Sequence, residues 1–191
     1  QRLHALVLRG GTDRLGDMVL TLPLARALRR AFPNARIELL CRSYVLPLVE
    51  HCPVLDAVHD LDHTPLRSVL RSTPFDVLFF PRPRLGEAWE ALRAGVPLRV
   101  GSAYRWYSAL FNCRIREHRK DALYHEAEYN VHMLSTITRQ RHDVALVRPM
   151  IMQEPNGSVF ATPYIVIHPG SGGSARDWPA EHYGALAAAL V

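Results

Sequence analysis

The chain has 191 residues, of which 48% are hydrophobic and 21% charged, with a formal net charge of +5. That length can bury a full core and suggests one to two domains, and the composition is that of an ordinary globular protein. It excludes a membrane-spanning helix, because no apolar run reaches the ~18 residues required, and a disulfide or zinc-ribbon scaffold, because Cys41, Cys52 and Cys113 are odd in number and far apart. The first residues alternate polar and apolar and show no signal peptide, so a reducing cytoplasm is the expected compartment. The chain opens on Gln1 rather than Met, and an upstream start is expected. Lys120 is the only lysine. Arginine's planar fork suits phosphate and carboxylate, so the charge permits an anionic partner, although a coding bias accounts better for the missing lysines. Neither a basic stripe nor a known module points to nucleic acid.

In chain order, residues 3–8 read as a first strand and feed a glycine turn, Arg9-Gly10-Gly11-Thr12. The turn ends at Gly16-Asp17, where an apolar helical period begins. Asp17 therefore stands at the carboxyl end of a strand and the amino end of a helix. It reads either as a helix N-cap or as a carboxylate at the sheet edge where open α/β sheets gather ligands. Leu24, Ala27, Leu28 and Ala31 share one helical face, with Arg26, Arg29 and Arg30 opposite. Pro23 kinks this helix or marks its real start. Strand 36–41, a helix over 44–50, a short strand over 57–59 and a helix over 66–70 follow. Residues 75–80 form an apolar run typical of a buried parallel strand. A helix over 87–94, a strand over 98–101 and a longer helix over about 125–139 complete the series. This alternation predicts a doubly wound, mostly parallel α/β sheet of Rossmann-like type.

Residues 143–162 hold Pro149, Pro155, Asn156 and Gly157 without clear periodicity and read as a linker. The expected division is therefore residues 1–150 as the first domain and 151–191 as the linker plus the opening of a second, truncated one. That second unit reads as a strand over 164–168, a glycine-rich turn over 169–177 and an alanine-rich helix over 179–191. One strand–helix unit cannot bury both its faces, so the chain is expected to be a piece of a longer protein. In the turn Gly170-Ser171-Gly172-Gly173-Ser174-Ala175-Arg176-Asp177, small residues let backbone N–H groups approach an anion, the next helix adds its dipole, and Arg176 offers a charge-assisted bond. A plain connecting loop with a surface arginine fits the same spacing.

Taken together, these segments resemble glycosyltransferase family 9, the ADP-heptose–lipopolysaccharide heptosyltransferases. The resemblance rests on Arg14-Leu15-Gly16-Asp17, Phe75-Asp76-Val77-Leu78, Gly95-Val96-Pro97-Leu98-Arg99-Val100-Gly101, His125-Glu126, and His168-Pro169-Gly170-Ser171 followed by Arg176 and Trp178-Pro179. No one of these is specific alone; their order and spacing are. The resemblance implies the GT-B arrangement of two Rossmann-like domains, the first holding the acceptor and the second the ADP-sugar. It implies inverting, metal-independent transfer of a heptose from ADP-heptose to the lipopolysaccharide inner core, with no cofactor. Asp17 matches the family's catalytic base. Gly170, Ser171 and Gly172 match the region on the donor phosphates, and Arg176 matches a basic residue, often Lys, that neutralises the leaving diphosphate. Arg14, Arg82 and Arg84 are candidate acceptor contacts. The first turn is about two residues longer than usual in the family. The family's later segments, which grip adenosine and heptose, are not in this chain, so it is expected to be inactive alone.

Weaker signals remain. Asp60-Leu61-Asp62 has the Asp-x-Asp spacing that holds a metal in a different glycosyltransferase architecture, but it arises often by chance. His125 and His132 lack a carboxylate at metal-ligand spacing and read as surface or core histidines. Tyr104-Arg105-Trp106-Tyr107 reads as packing aromatics or as an amphipathic contact with a membrane surface, which the family's lipid-linked acceptor would place at the cytoplasmic face of the inner membrane. Two other classes compete. Gly170-x-Gly172-x-x-Ala175 after a strand also fits the dinucleotide fingerprint of an NAD(P)-dependent oxidoreductase. A non-catalytic anion- or sugar-binding module fits as well.

Overall fold

A computed structural model describes residues 3–8, 14–144, 164–171 and 176–190. The chain divides into two compact units, Gln1–Met152 and Gln153–Val191.

The first unit is built on six strands: β1 (His4–Leu8), β2 (Arg36–Cys41), β3 (Ala57–Asp60), β4 (Val77–Phe79), β5 (Leu98–Ser102) and β6 (Cys113–Ile115). All pair in parallel, in the order β3-β2-β1-β4-β5-β6. This is the doubly wound order, in which the path of the chain reverses between β1 and β4. The α/β, Rossmann-like architecture expected from the alternation of elements is therefore the one observed.

Strand alternation divides the core in two. Ala5, Val7, Ile37, Leu39, Val77 and Phe79 point to one face and pack with Met18, with Leu24 and Leu28 of helix α2 (Leu22–Ala31), and with Val131 and Leu134 of helix α6 (Glu126–Thr138). Leu6, Leu40, Leu78 and Phe80 point to the other. They meet Leu66, Val69 and Leu70 of helix α4 (Leu66–Ser72) and Ala88 and Ala91 of helix α5 (Leu85–Arg93). Glu38 shares that second face at 1% exposure. It accepts hydrogen bonds from His59 Nε2 (2.5 Å), Arg36 Nε (2.5 Å) and His4 Nε2 (2.9 Å). Burial by itself raises this carboxyl, but those three donors outweigh it and hold Glu38 down at about 2.

Local chemistry sets the helix ends. Pro23 marks a start rather than a kink: α1 (Leu15–Val19) closes before it, and α2 opens with the proline in its first turn, where no N–H is needed. At the far end, Arg29 Nη1 donates to the Pro33 and Ala35 carbonyls, capping the turn into β2. α6 begins with a capping box in which His125 accepts from the helix backbone and Glu128 accepts from the His125 N–H. Gly101 in β5 allows Phe111 to lie against the strand; a Cβ there would stand 2.7 Å from the ring.

Several expectations change. The helix over 44–50 is a 3₁₀ turn, Ser43–Val45, followed by one α turn, α3 (Leu46–Val49). β6 was not anticipated, because a three-residue strand with Arg114 at its centre carries no hydrophobic period. In the second unit, residues 164–168 are not a strand: no ladder partner lies beside them among the described residues, and Tyr164, Ile165 and Val166 are exposed. The helix expected there is present as α7 (Ala180–Ala189), with Pro179 at its N-cap. Among the described residues, no helix is long and apolar enough to cross a membrane.

Candidate functional site

In a parallel sheet every strand ends at the same edge, and between β1 and β4 the strand order reverses. The crevice this opens is the expected ligand position. In this chain it is a cleft of about 560 Å³. Arg14 and Asp17 line it from α1, and Phe80-Pro81-Arg82-Pro83 from the loop after β4. Ser102, Tyr104 and Arg105 enter after β5, and Glu117, His118, Arg119 and Lys120 after β6.

Asp17 is not the helix N-cap. Arg14 holds that position, and Asp17 sits three residues on, in the first turn of α1, where a carboxylate favours the helix dipole. Its side chain is 29% exposed and faces the cleft, with Arg82 Nη1 3.8 Å from Oδ2. The main chain around it is held by buried side chains. Thr21 Oγ1 donates to the Asp17 carbonyl (2.9 Å), and Asn130 Nδ2 donates to the Leu20 carbonyl (2.8 Å) at the end of α1. Asn130, fully buried on α6, in turn accepts from Arg119 Nη2 (2.9 Å), whose other nitrogen is paired with Glu126. A run of polar contacts therefore joins the far wall of the cleft to the carboxylate-bearing helix. Partly exposed, with Arg82 beside it and Arg14, Arg105, Arg119 and Lys120 lining the same cleft, Asp17 can accept a proton from a bound hydroxyl while these cations hold an anionic part of the same molecule.

Of the other sequence candidates, Arg14 and Arg82 reach the cleft with Asp17. Arg84 does not; it is the exposed N-cap residue of α5, outside the lining. In the second unit Gly170 has φ +90°, a conformation that favours glycine, Ser171 is half-buried, and Arg176 is exposed. Gly172 lies outside the described residues. The Asp60/Asp62 pair works as a loop clasp. Asp60 accepts from Ser43 Oγ (2.7 Å) and pairs with His63 Nδ1 (2.7 Å), while Asp62 forms an ion pair with Arg42 (2.5 Å) and accepts from the Ser43 N–H (2.9 Å). Among the described residues, no group of His, Cys, Asp and Glu is arranged to hold a metal ion. His132 is paired with Glu117 (3.0 Å).

Arg105, Glu117, His118, Arg119 and Lys120 were missed as site residues. Their common signal was position, just beyond β5 and β6, together with the basic density of Arg114-Ile115-Arg116-Glu117-His118-Arg119-Lys120. Glu87, beyond the cleft on α5, also escaped notice. One of its carboxyl oxygens is buried without a hydrogen-bond partner, and burial pushes the group up to about 7 despite the nearby Arg84.

No family model matches the chain. A protein of Haemophilus influenzae named "Putative glycosyltransferase" is 28% identical over 212 residues, covering 97% of this chain and 60% of that protein. Among solved structures, Escherichia coli heptosyltransferase WaaC with ADP superposes with a TM-score of 0.75 at 15% identity, over 98% of this chain and 64% of that one. Escherichia coli ADP-heptose lps heptosyltransferase II gives 0.66 at 21% identity, over 98% and 61%. A glycosyl transferase family 9 protein from Veillonella parvula gives 0.62 at 19% identity, over 75% and 43%. The chain thus spans about 60% of the curated relative it matches. The resemblance read in the sequence holds, and the chain has the α/β, Rossmann-like fold of the GT-B glycosyltransferase family 9 heptosyltransferases.

Proposed function

We propose that this chain is the acceptor-binding part of an inverting, metal-independent heptosyltransferase that moves a heptose from ADP-heptose to the lipopolysaccharide inner core. The observation that carries the reading is Asp17. It is a half-exposed carboxylate on a braced helix, opening into a cation-lined cleft at the reversal point of the sheet. In this reading Asp17 takes the proton of the acceptor hydroxyl as that oxygen attacks the anomeric carbon from the face opposite the nucleotide. The bond to the ADP oxygen breaks as the new glycosidic bond forms, and the configuration inverts. Arg14 and Arg82, with Arg105, Arg119 and Lys120, hold the anionic groups of the acceptor. Gly170, Ser171, Gly172 and Arg176 take the donor diphosphate, and Arg176 offsets the charge that develops on it. The acceptor is lipid-linked, so the protein works as a peripheral protein at the cytoplasmic face of the inner membrane.

The test is Asp17→Asn in the full-length protein. Loss of a general base lowers the rate by ~10²–10⁴-fold. Donor binding and thermal stability should stay near those of the parent, because Arg14 rather than Asp17 occupies the cap. Transfer within a few-fold of the parent would remove Asp17 from the chemistry. Titration with ADP-heptose, NAD and inorganic phosphate separates the proposal from an oxidoreductase, which would prefer NAD, and from a general anion-binding module, which would not discriminate.

A further inference from the structure

Exposed aromatic and aliphatic side chains lie on the loop that borders the cleft and on the helix to which that loop is tied. Trp106, in the loop after β5, is 84% exposed, and Tyr104 two residues earlier is exposed as well. On α5, Leu85, Trp89 and Leu92 are exposed although Ala88 and Ala91 already serve the core. Their spacing of four and three residues puts them on one stripe of the helix. Loop and helix are fastened together at the end nearest the cleft. The Tyr107 hydroxyl donates to the Pro83 carbonyl (2.8 Å), one residue before the α5 N-cap, and the Trp106 ring stands edge-on to Tyr107 at 5.5 Å. Arg84, Arg93 and Arg105 are exposed on the same helix and loop.

This combination selects its partner. Indole and phenol rings favour the headgroup level of a bilayer, and arginines there meet lipid phosphate. The loop also borders the cleft, since Tyr104 and Arg105 line it. We propose that Trp106 and Tyr104 with the Leu85–Trp89–Leu92 stripe and its arginines form a docking surface for an anionic phospholipid bilayer, which brings the cleft to the headgroup plane. The inference rests on the reading that the acceptor is lipid-linked. Docking there lets the acceptor's saccharide enter the cleft while its lipid remains in the membrane.

The experiment is co-sedimentation of the full-length protein with phosphatidylcholine vesicles, alone and mixed with phosphatidylglycerol. The same variants are assayed for transfer to a delipidated, soluble acceptor. Binding should require phosphatidylglycerol and weaken with salt. Trp89→Ser and Trp106→Ser should each weaken it about tenfold through lost apolar contact, and Arg93→Gln about fivefold. Melting temperature and transfer to the soluble acceptor should stay at parent level in all three. Binding that is absent, equal on neutral vesicles, or unchanged in the Trp89→Ser/Trp106→Ser double variant overturns the proposal. So does a concentration-dependent dimer that the double variant abolishes. Vesicle binding without transfer to any acceptor would leave the surface standing and remove the enzymatic reading; transfer without vesicle binding would do the reverse.

Discussion

Replacing Glu38 with Gln tests how the sheet is held together. The substitution keeps the shape of the side chain and removes its charge from a site that is 1% exposed and surrounded by His59, Arg36 and His4. Burial raises the carboxyl and the three donors lower it further than burial raises it, to about 2 from the ordinary 4.5. A displacement of that size makes the charged form worth ~3 kcal/mol to folding. The group is depressed in the fold, so its contribution is complete above about 4.5 and disappears as pH falls toward about 2. Urea unfolding followed by circular dichroism should therefore find Glu38→Gln about 3 kcal/mol less stable than the parent at neutral pH, in the range for breaking a buried ion pair. The two proteins should converge in acid. A gap below ~1 kcal/mol at neutral pH would make this an ordinary surface pair. A gap that persists undiminished at low pH would mean that shape, rather than charge, sets the cost.

Other consequences follow from the same geometry. Glu87 is displaced in the opposite sense, so its stabilising protonated form is lost as pH rises from about 4.5 through about 7. Glu87→Gln should therefore stabilise the protein at pH 8 by up to ~3 kcal/mol and leave it unchanged in acid, as read by the same unfolding curves. Gly101→Ala drives a Cβ into the Phe111 ring, which is buried and packed on Phe80, and should cost ~1–3 kcal/mol in urea unfolding. Asn130→Ala removes the bond to the Leu20 carbonyl and leaves Arg119 without that partner, costing ~1–3 kcal/mol; amide exchange over residues 18–22 should quicken, and unchanged exchange there would refute the bracing of α1. Burial, then the Asp60 and Asp62 carboxylates, push the Cys41 thiol up to about 12, so thiol reagents at pH 8 should label Cys41 only after unfolding.

The sheet was legible because its strands carry their burial in their composition. Residues 77–80 are apolar on both faces, as a strand covered by helices on two sides must be, and 36–41 is so apart from Arg36 and Glu38, after a Pro33-Asn34 turn that ends the preceding helix. The position of Asp17 at the ligand edge was legible from the glycine turn between a strand and a helix, but that turn alone equally suits a helix N-cap, and only the later segments of the chain favoured the other reading. The opposite wall of the cleft was not, since Arg105 and Arg119 leave different strands and meet Asp17 only once β5 and β6 have been placed. Asn130 was hidden for a related reason. A polar residue in a helix reads as solvent-facing, and nothing local reveals that its amide lies against the end of α1. Conversely, the run at 164–168 has strand composition but no described neighbour to pair with, and composition supplies no partner.

The central place of β1 bears on how the chain is made. This strand leaves the ribosome before both of its partners, yet it is hydrogen-bonded on both sides, to β2 at residues 36–40 and to β4 at residues 77–79. With every pairing parallel, no hairpin can form early, and each ladder must wait for a whole crossover to be synthesised. A nascent chain that has released β2 but not β4 carries the buried strand β1 with one edge open. Such an interval favours slow folding and association with other chains. Expression should therefore depend on chaperone supply, and slowing translation between residues 41 and 77 should lengthen the vulnerable interval and lower the soluble yield.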